Sequence, residues 1–368
     1  MKALAACRTA ALGGHLHQCD ACGHCQASYN SCRNRHCPKC QAAARGDWLE
    51  ARRAELLPVG YFHVVFTLPE EVAQVALQNK GVLYELLFRT SAQTLQQIAA
   101  DPRHLGAEIG FLSVLHTWGQ NLLHHPHVHC LVPGGGISPD GTRWIASPKD
   151  FFLPVRVLSR VFRGKFLEGM RRAWRHGKLS FHGSLDRYRD PREFQRLLDG
   201  AYKVEWVVYA KPPFGGAEQV LKYLARYTYR VAISNNRLVS MHDDRVTFEW
   251  KDYAQGGLRR TMTLLAVEFI RRFLLHVLPS GFQRIRRYGF LANGHGRTKL
   301  DLCRRLLRQV SPETAAPPRA EAVAAPDSAS ETALRECPAC RRGRLLLREE
   351  IPRPTRRQLV TLWPFDSS

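Results

Sequence analysis

Residues 124–129 read His-His-Pro-His-Val-His, and the last three form a histidine–apolar–histidine unit. On a strand, residues two apart project from one face. His127 and His129 therefore stand side by side while Val128 packs behind them. Two imidazoles fixed in this way are two corners of a divalent-metal site. A third corner is expected from the preceding run IGFLSVLH, residues 109–116, which also reads as a strand. If the two runs form an antiparallel hairpin, the residues flanking its loop, His116 and His127, face each other. His116 is thus the expected third ligand, with Gln120 and His125 as alternatives. One lone histidine would read as an ordinary surface or core residue; three at these positions read as metal. Three neutral imidazoles leave coordination positions open, so a bound ion can polarise a phosphodiester as a Lewis acid. Mg²⁺ prefers oxygen ligands and Mn²⁺ suits nitrogen better, so the donor set leaves both in play.

A second candidate group is Tyr223-Leu224-Ala225-Arg226-Tyr227, inside a segment (218–227) with helical character. Residues i and i+4 share a helix face with Cβ atoms about 5–6 Å apart. Two phenols there, beside Lys222 and Arg226, can reach a phosphate. By itself such a pair reads as an aromatic stripe in a core, and the histidines change that reading. A tyrosine that attacks a phosphodiester releases a 3′-hydroxyl and keeps the 5′-phosphate as a phosphotyrosine, so rejoining needs no ATP.

The third group is Cys19-x2-Cys22-x2-Cys25-x6-Cys32-x4-Cys37-x2-Cys40. Two Cys-x2-Cys knuckles at this separation suit a tetrahedral structural zinc. The expected ligands are Cys19, Cys22, Cys37 and Cys40. Cys25, Cys32, His24 and His36 are surplus, as substitutes for a chosen ligand or as part of a second metal site. A redox Cys-x-x-Cys is the bland alternative, and no βαβ pattern surrounds these pairs. Cys337-x2-Cys340 is half a site, able to pair with another half or to do nothing.

These groups need a scaffold, and the chain of 368 residues is long enough for one large domain or two to three smaller ones. Lys plus Arg number 54 against 32 Asp plus Glu, a net charge of +22 that points to a polyanionic partner. No apolar run reaches membrane-spanning length, and the start has no secretory pattern. The expectation is an intracellular, cytoplasmic chain with reduced cysteines. Strands are expected over 61–68, 109–116, 127–132, 203–210, 230–234, 238–241 and 245–250, and helices over 41–57, 70–100, 155–175, 218–227 and 267–277. This is an α+β pattern. The expected division is a zinc-binding domain at 1–45, a catalytic domain at 46–310, a flexible Ala/Pro/Ser-rich linker at 311–336, and a basic tail at 337–368 holding one CxxC. Residues 281–308 interleave arginines with Phe282, Tyr288 and Phe290, a pattern suited to holding phosphates and stacking unpaired bases. Arg284, Arg286 and Arg287 join Lys222 and Arg226 as expected DNA contacts.

Several stretches together resemble the two-tyrosine HUH rolling-circle transposases of bacterial insertion sequences, the family of insertion sequence ninety-one. They are CRTAALGGH, YNSCRNRHCPKCQ, FHVVFTLP, ADPRHLGAEIGFLSVLHTWGQNLLHHPHVHCLVPGGG, KYLARYTYRVAISNNRL and GFQRIRRYGFLANG, spread over residues ~5–310. The resemblance implies an HUH endonuclease core: an antiparallel sheet flanked by helices, carrying the histidine pair, with the tyrosines on a neighbouring helix and a zinc-binding domain in front. It assigns His127 and His129 as metal ligands, Tyr223 and Tyr227 as nucleophiles, and the cysteine knuckles to zinc. Phe66-Thr67-Leu68 resembles the first motif of replication initiators, and the order of histidines before tyrosines is theirs rather than that of relaxases. The implied substrate is single-stranded or hairpin DNA at the ends of an element, cut without a double-strand break. The resemblance begins almost at the first residue, where relatives carry a further stretch, so a shortened start is expected; Cys25 is extra to the pattern. A plasmid replication initiator would share this chemistry. A zinc-ribbon DNA-binding protein or an inactive copy would keep the zinc and the charge without it. A three-carboxylate transposase would need acidic residues that are sparse near these strands. Neither the oligomeric state nor which tyrosine acts first is legible.

Overall fold

The computed structural model describes all residues except 1, 35, 149–151, 212–220, 222–231, 253–254, 295, 311–334 and 355–368. The chain divides into two compact units, Met1–Gly46 with Ala316–Ser368, and Asp47–Ala315. The C-terminal segment expected to be a separate tail is therefore grouped with the N-terminal unit.

The first unit holds a short helix α1 (Lys2–Ala5), the strands β1 (Gly14–Cys19) and β2 (Cys25–Tyr29), and the start of helix α2 (Pro38–Arg53). From the other end of the chain come two strands, numbered β13 (Arg335–Glu336) and β14 (Arg344–Ile351) by their place in the sequence. They form one sheet in the order β13-β14-β1-β2. Its strands bury almost nothing apolar: the buried cluster here is Cys19, Cys337 and Leu345, with Cys340 against it.

The second unit is built on an antiparallel sheet of β3 (Tyr61–Thr67), β4 (Gly110–Trp118), β5 (His124–Pro133), β8 (Val208–Lys211) and β12 (Ile285–Gly289), in the order β12-β4-β5-β3-β8. Short strands β6 (Gly135–Ile137) and β7 (Trp144–Ala146) pair beside it, and β9 (Leu238–His242), β10 (Arg245–Asp252) and β11 (Leu258–Leu265) make a further three-stranded sheet. β3 forms because YFHVVFT is aromatic and β-branched throughout, and Pro69 prevents its continuation. Helices α3 (Glu70–Gln78), α4 (Lys80–Ala100), α5 (Val155–Arg175) and α6 (Pro191–Lys203) cover one face of the main sheet. α6 starts with a side-chain cap: Asp190 accepts from the amides of Arg192 and Glu193 at 2.8 and 3.1 Å, with Pro191 in the first turn.

Alternation along the strands sorts the two faces. Phe62, Val64, Phe66, Phe111, Leu115, Val128, Cys130 and Val132 all enter the main core with the helices. The opposite face carries His116, His127 and His129. The expected strand over 203–210 is shorter than read, because α6 runs through Lys203 and pairing begins only at Val208. Trp206 is anchored instead by its indole N–H, which donates to the Ala201 carbonyl at 2.8 Å. The expected strand over 230–234 falls partly outside the described residues, and its described part, 232–234, is not a strand. Residues 311–334 of the expected linker and most of the expected helix over 218–227 also lie outside the described residues, and the linker's last two residues form β13. Among the described residues, no helix is long and apolar enough to cross a membrane.

Candidate functional site

β4 and β5 form the anticipated antiparallel hairpin, with His116 opposite His127 and Val114 opposite His129. The rings of His116 and His129 are 4.2 Å apart between centroids, those of His127 and His129 4.8 Å, and those of His116 and His127 5.4 Å. One ligand nitrogen from each of the three lies within 4.8 Å of the others. The His127 Nδ1 donates to the His125 carbonyl at 2.6 Å, which turns its Nε2 lone pair outward toward the group. Burial, reinforced by His125, pushes the His127 pKa down to about 3, and burial with His116 and His127 holds His129 well below the ordinary value. Both are neutral near pH 7, the form that binds metal. Trp118 stacks on His116 at 4.9 Å and 21°. Three converging imidazole nitrogens fit one divalent ion. Of the alternatives, the His125 ring lies 5.2 Å from that of His127 but does not join the group, and the Gln120 backbone carbonyl accepts from Arg237.

A further histidine belongs to this neighbourhood. His63 on β3 places its Nε2 2.7 Å from the His129 Nδ1, with the two rings stacked at 4.9 Å and 4°. Burial, then Lys211, lowers its pKa to about 4. As a neutral acceptor it fixes the tautomer in which His129 carries its proton on Nδ1 and offers Nε2. The strand pattern of YFHVVFT puts His63 on one face with Val65 and Thr67. The register that brings β3 beside β5 is not local, so the sequence alone does not bring His63 to His129.

Tyr223, Tyr227, Lys222 and Arg226 lie outside the described residues. Leu221, just before them, is helical and 2 % exposed, in a cluster with Tyr61, Leu112 and Leu131. Leu112 and Leu131 are on the histidine face of β4 and β5, by the same two-residue alternation.

Arg286 and Arg287 are adjacent on β12 and so point to opposite faces. Arg286 makes a two-pronged pair with Glu85, both contacts at 2.7 Å, and its guanidinium lies 4.4 Å over the Phe88 ring. It is turned to the helical face, away from the histidines, and ties β12 to α4. Arg286 and Arg287, both expected DNA contacts, thus stand on opposite faces of the sheet. Arg287 is on the histidine face and pairs with Glu55 at 3.0 Å. Arg284 precedes β12, and its carbonyl accepts from the Leu115 amide at 3.0 Å.

The cysteines form two groups, not the expected one. Cys7, Cys32, Cys37 and Cys40 cluster together, and so do Cys19, Cys22, Cys337 and Cys340. The expected tetrad is thus divided: Cys37 and Cys40 go to the first group, Cys19 and Cys22 to the second. The reason is topological, since β14 lies along β1 and brings a second knuckle to the turn of the first hairpin. In the first group Cys40 is 3.5 Å from Cys7 and 3.7 Å from Cys32; in the second, Cys19–Cys340 and Cys22–Cys337 are both 3.7 Å apart. Four thiolates at about 2.3 Å around zinc are separated by about 3.8 Å, whereas a disulfide needs about 2.05 Å. Both groups fit zinc. Burial works against ionising Cys40, yet hydrogen bonds from Cys7 and Cys32 bring its thiol down to about 7. The backbone amides of Arg342 and Gly343 bring Cys340 down to about 6. Cys25 stays exposed outside both groups, and the His36 amide and ring turn to Asn34.

Two family models match the chain: one described as "Putative transposase" over residues 110–299, the other as "Transposase zinc-binding domain" of IS91 over residues 1–68. The chain is 59% identical over 349 residues to "Putative transposase y4qJ" of Sinorhizobium fredii, covering 94% of this chain and 87% of that one. It is 26% identical over 304 residues to the "Transposase for insertion sequence element IS801" of Pseudomonas savastanoi pv. phaseolicola, covering 78% and 68%. Among solved structures, the conjugative relaxase TrwC in complex with oriT DNA matches at a TM-score of 0.25 and 14% identity, over 45% of this chain and 71% of that one, a likeness too small to define a shared fold. With a zinc-binding unit in front, a histidine-bearing antiparallel sheet behind it and a relative of this identity along nearly its whole length, the chain belongs to the IS91 family of transposases.

Proposed function

We propose that this transposase nicks and rejoins single-stranded DNA by tyrosine transesterification, with a divalent ion held by His116, His127 and His129. The observation that carries the reading is the convergence of these three imidazoles within 4.8 Å on one sheet face. Bound Mg²⁺ or Mn²⁺ supplies Lewis-acid polarisation of the scissile phosphate. The phenolic oxygen of Tyr223 or Tyr227 forms the new bond to phosphorus as the bond to the 3′-oxygen breaks. The phenolic proton ends on the released 3′-hydroxyl, and the 5′-phosphate stays on tyrosine. Reversal by a second 3′-hydroxyl rejoins the strands, and two tyrosines allow two such exchanges in one rolling-circle cycle. Leu221 supports this assignment. It stands two residues before Tyr223 in the sequence, and its side chain is buried against Leu112 and Leu131 on the histidine face. Lys222, Arg226, Arg284 and Arg287 are the proposed phosphate contacts. Zinc in the Cys7, Cys32, Cys37 and Cys40 group holds the N-terminal segment folded.

The test is a denaturing gel of protein mixed with labelled single-stranded DNA from the ends of its element and Mn²⁺ or Mg²⁺. A protein–DNA adduct is expected, absent from the Tyr223→Phe/Tyr227→Phe double variant and absent without metal. Cleavage with no adduct would make water the nucleophile and end the two-tyrosine mechanism.

His63 gives an independent check on the metal centre. A partner that orients a ligating histidine is typically worth ten- to a hundredfold in metal affinity. His63→Phe is expected to weaken Mn²⁺ binding by that factor, followed by the electron spin resonance of the free ion. His63→Gln, which keeps an acceptor, should restore most of it. Equal affinity in wild type and His63→Phe would remove His63 from the centre.

A further inference from the structure

β1 and β2 form a hairpin with Cys19 and Cys22 at its turn, and β13 and β14 form another with Cys337 and Cys340 at its turn. β1 pairs with β14 antiparallel from Gly14 opposite Ile351 to Cys19 opposite Leu345, which brings the two turns to the same end of the sheet. The turns then interlock. The Arg344 amide donates to the Asp20 carboxylate at 2.8 Å, and the Asp20 amide donates to the Arg344 carbonyl at 3.1 Å. The Gly343 amide donates to the Cys340 sulfur at 3.4 Å, and a Cβ at Gly343 would stand 2.5 Å from the Cys19 sulfur. Both knuckles use a left-handed residue, Gly23 in the first and Arg341 in the second.

We propose that Cys19, Cys22, Cys337 and Cys340 bind a second structural zinc, making one zinc ribbon from two hairpins at opposite ends of the chain. The sulfurs that meet across it, Cys22 and Cys337, are 315 positions apart in sequence. The matched zinc-binding family region ends at residue 68 and holds only half of this site. The site shares no residue with the histidine centre and goes beyond the proposed reaction. Four thiolates complete a tetrahedron and leave no position for substrate, so the ion is structural. Neither hairpin has an apolar core of its own, since the buried cluster consists largely of the ligating cysteines. Such small sheets need a staple, and a metal here joins both ends of the transposase into one folded piece.

Zinc counting on the full chain tests this. Wild type purified without chelator is expected to carry two zinc ions per chain by elemental mass spectrometry, and Cys337→Ser/Cys340→Ser one. Cys19→Ser/Cys22→Ser should also carry one, and the four-serine combination no fewer than one. Wild type with a single zinc, or a Cys337→Ser/Cys340→Ser variant that keeps two, overturns the site. Because these variants can misfold, the wild-type protein supplies a second readout. Cys337 and Cys340 should resist alkylation by iodoacetamide while zinc is bound and react once it is chelated, with exposed Cys25 as the reactive reference. Rapid alkylation of both in the zinc-loaded protein also overturns it.

Discussion

His127→Ala is expected to lower strand cleavage by at least about a thousandfold at a fixed, subsaturating Mn²⁺ concentration, with the secondary structure intact. A factor of a thousand corresponds to about 4 kcal/mol of barrier, a fair share of the several kcal/mol that a bound ion supplies to a developing phosphoryl charge. His127 is the right residue to remove. It is only half-buried, so truncation opens no sealed cavity. Its Nδ1 donates to the carbonyl of His125, which solvent can satisfy after truncation. The natural control is His125→Ala, two positions away and exposed, whose backbone carbonyl survives the change. It should cleave within a few fold of wild type. Raising Mn²⁺ should partly rescue His127→Ala, because two of three ligands remain. A loss below tenfold, or one that high Mn²⁺ leaves untouched while Mn²⁺ binding is normal, would show that His127 does not act through the ion.

The histidine hairpin was legible because everything it needs is local. The two-residue period puts His127 and His129 on one face, and a short loop makes His116 face His127. His63 was not legible, because its contact with His129 depends on β3 lying beside β5 in a register set by the whole core. The zinc ligands show the same boundary more sharply. Knuckle spacing identifies Cys19-x2-Cys22, Cys37-x2-Cys40 and Cys337-x2-Cys340 as half-sites, but which halves meet is decided by sheet order. The first hairpin takes its partner from the far end of the chain, and the pair Cys37 and Cys40 instead takes Cys7 and Cys32. Nothing in the interval between two cysteines reports that choice.

The arginines meet a different limit of sequence reading. Residues 281–308 advertise charge, and charge density alone does not reveal which arginines are already neutralised. Arg286 sits between Phe88 and Phe282 with Glu85 across it, so it is spent inside the fold. The apolar run at 203–210 misleads in a related way. Its first residue ends a capped amphipathic helix, and a helix that has started at Asp190 continues as far as its buried face does.

The metal-free protein is expected to lose stability steeply as pH falls from about 6.5 toward 4, before the carboxylates begin to protonate. His63 and His276 are each pushed down to about 4, and His124 and His127 to about 3, in every case first by burial. The sign follows from comparing the two states. Above pH 6.5 the imidazoles are neutral both folded and unfolded, so they give no pH dependence. Below it the unfolded chain takes up protons that the folded chain refuses, and each such histidine adds a slope of up to about 1.4 kcal/mol per pH unit in favour of unfolding. His276 shows the balance: burial, helped by Lys80, outweighs the opposing bond its Nε2 donates to the Leu122 carbonyl at 3.0 Å. Two histidines of this kind give roughly 3 kcal/mol per pH unit, and a domain is stable by only about 5–15 kcal/mol. Carboxylates act in a different window. Burial-free partners hold Asp101 and Glu268 down to about 2, so their stabilisation fades only below the ordinary carboxylate range. Urea midpoints measured in chelator at half-unit steps from pH 7.5 to 4.5 should therefore fall fastest between 6.5 and 5. Added Mn²⁺ should shift that fall to lower pH, because an ion on His116, His127 and His129 competes with the proton for the same lone pairs. A midpoint flat down to pH 5 would mean that these histidines are hydrated and open, and a fall that Mn²⁺ does not move would separate the burial of the three from any role in holding metal.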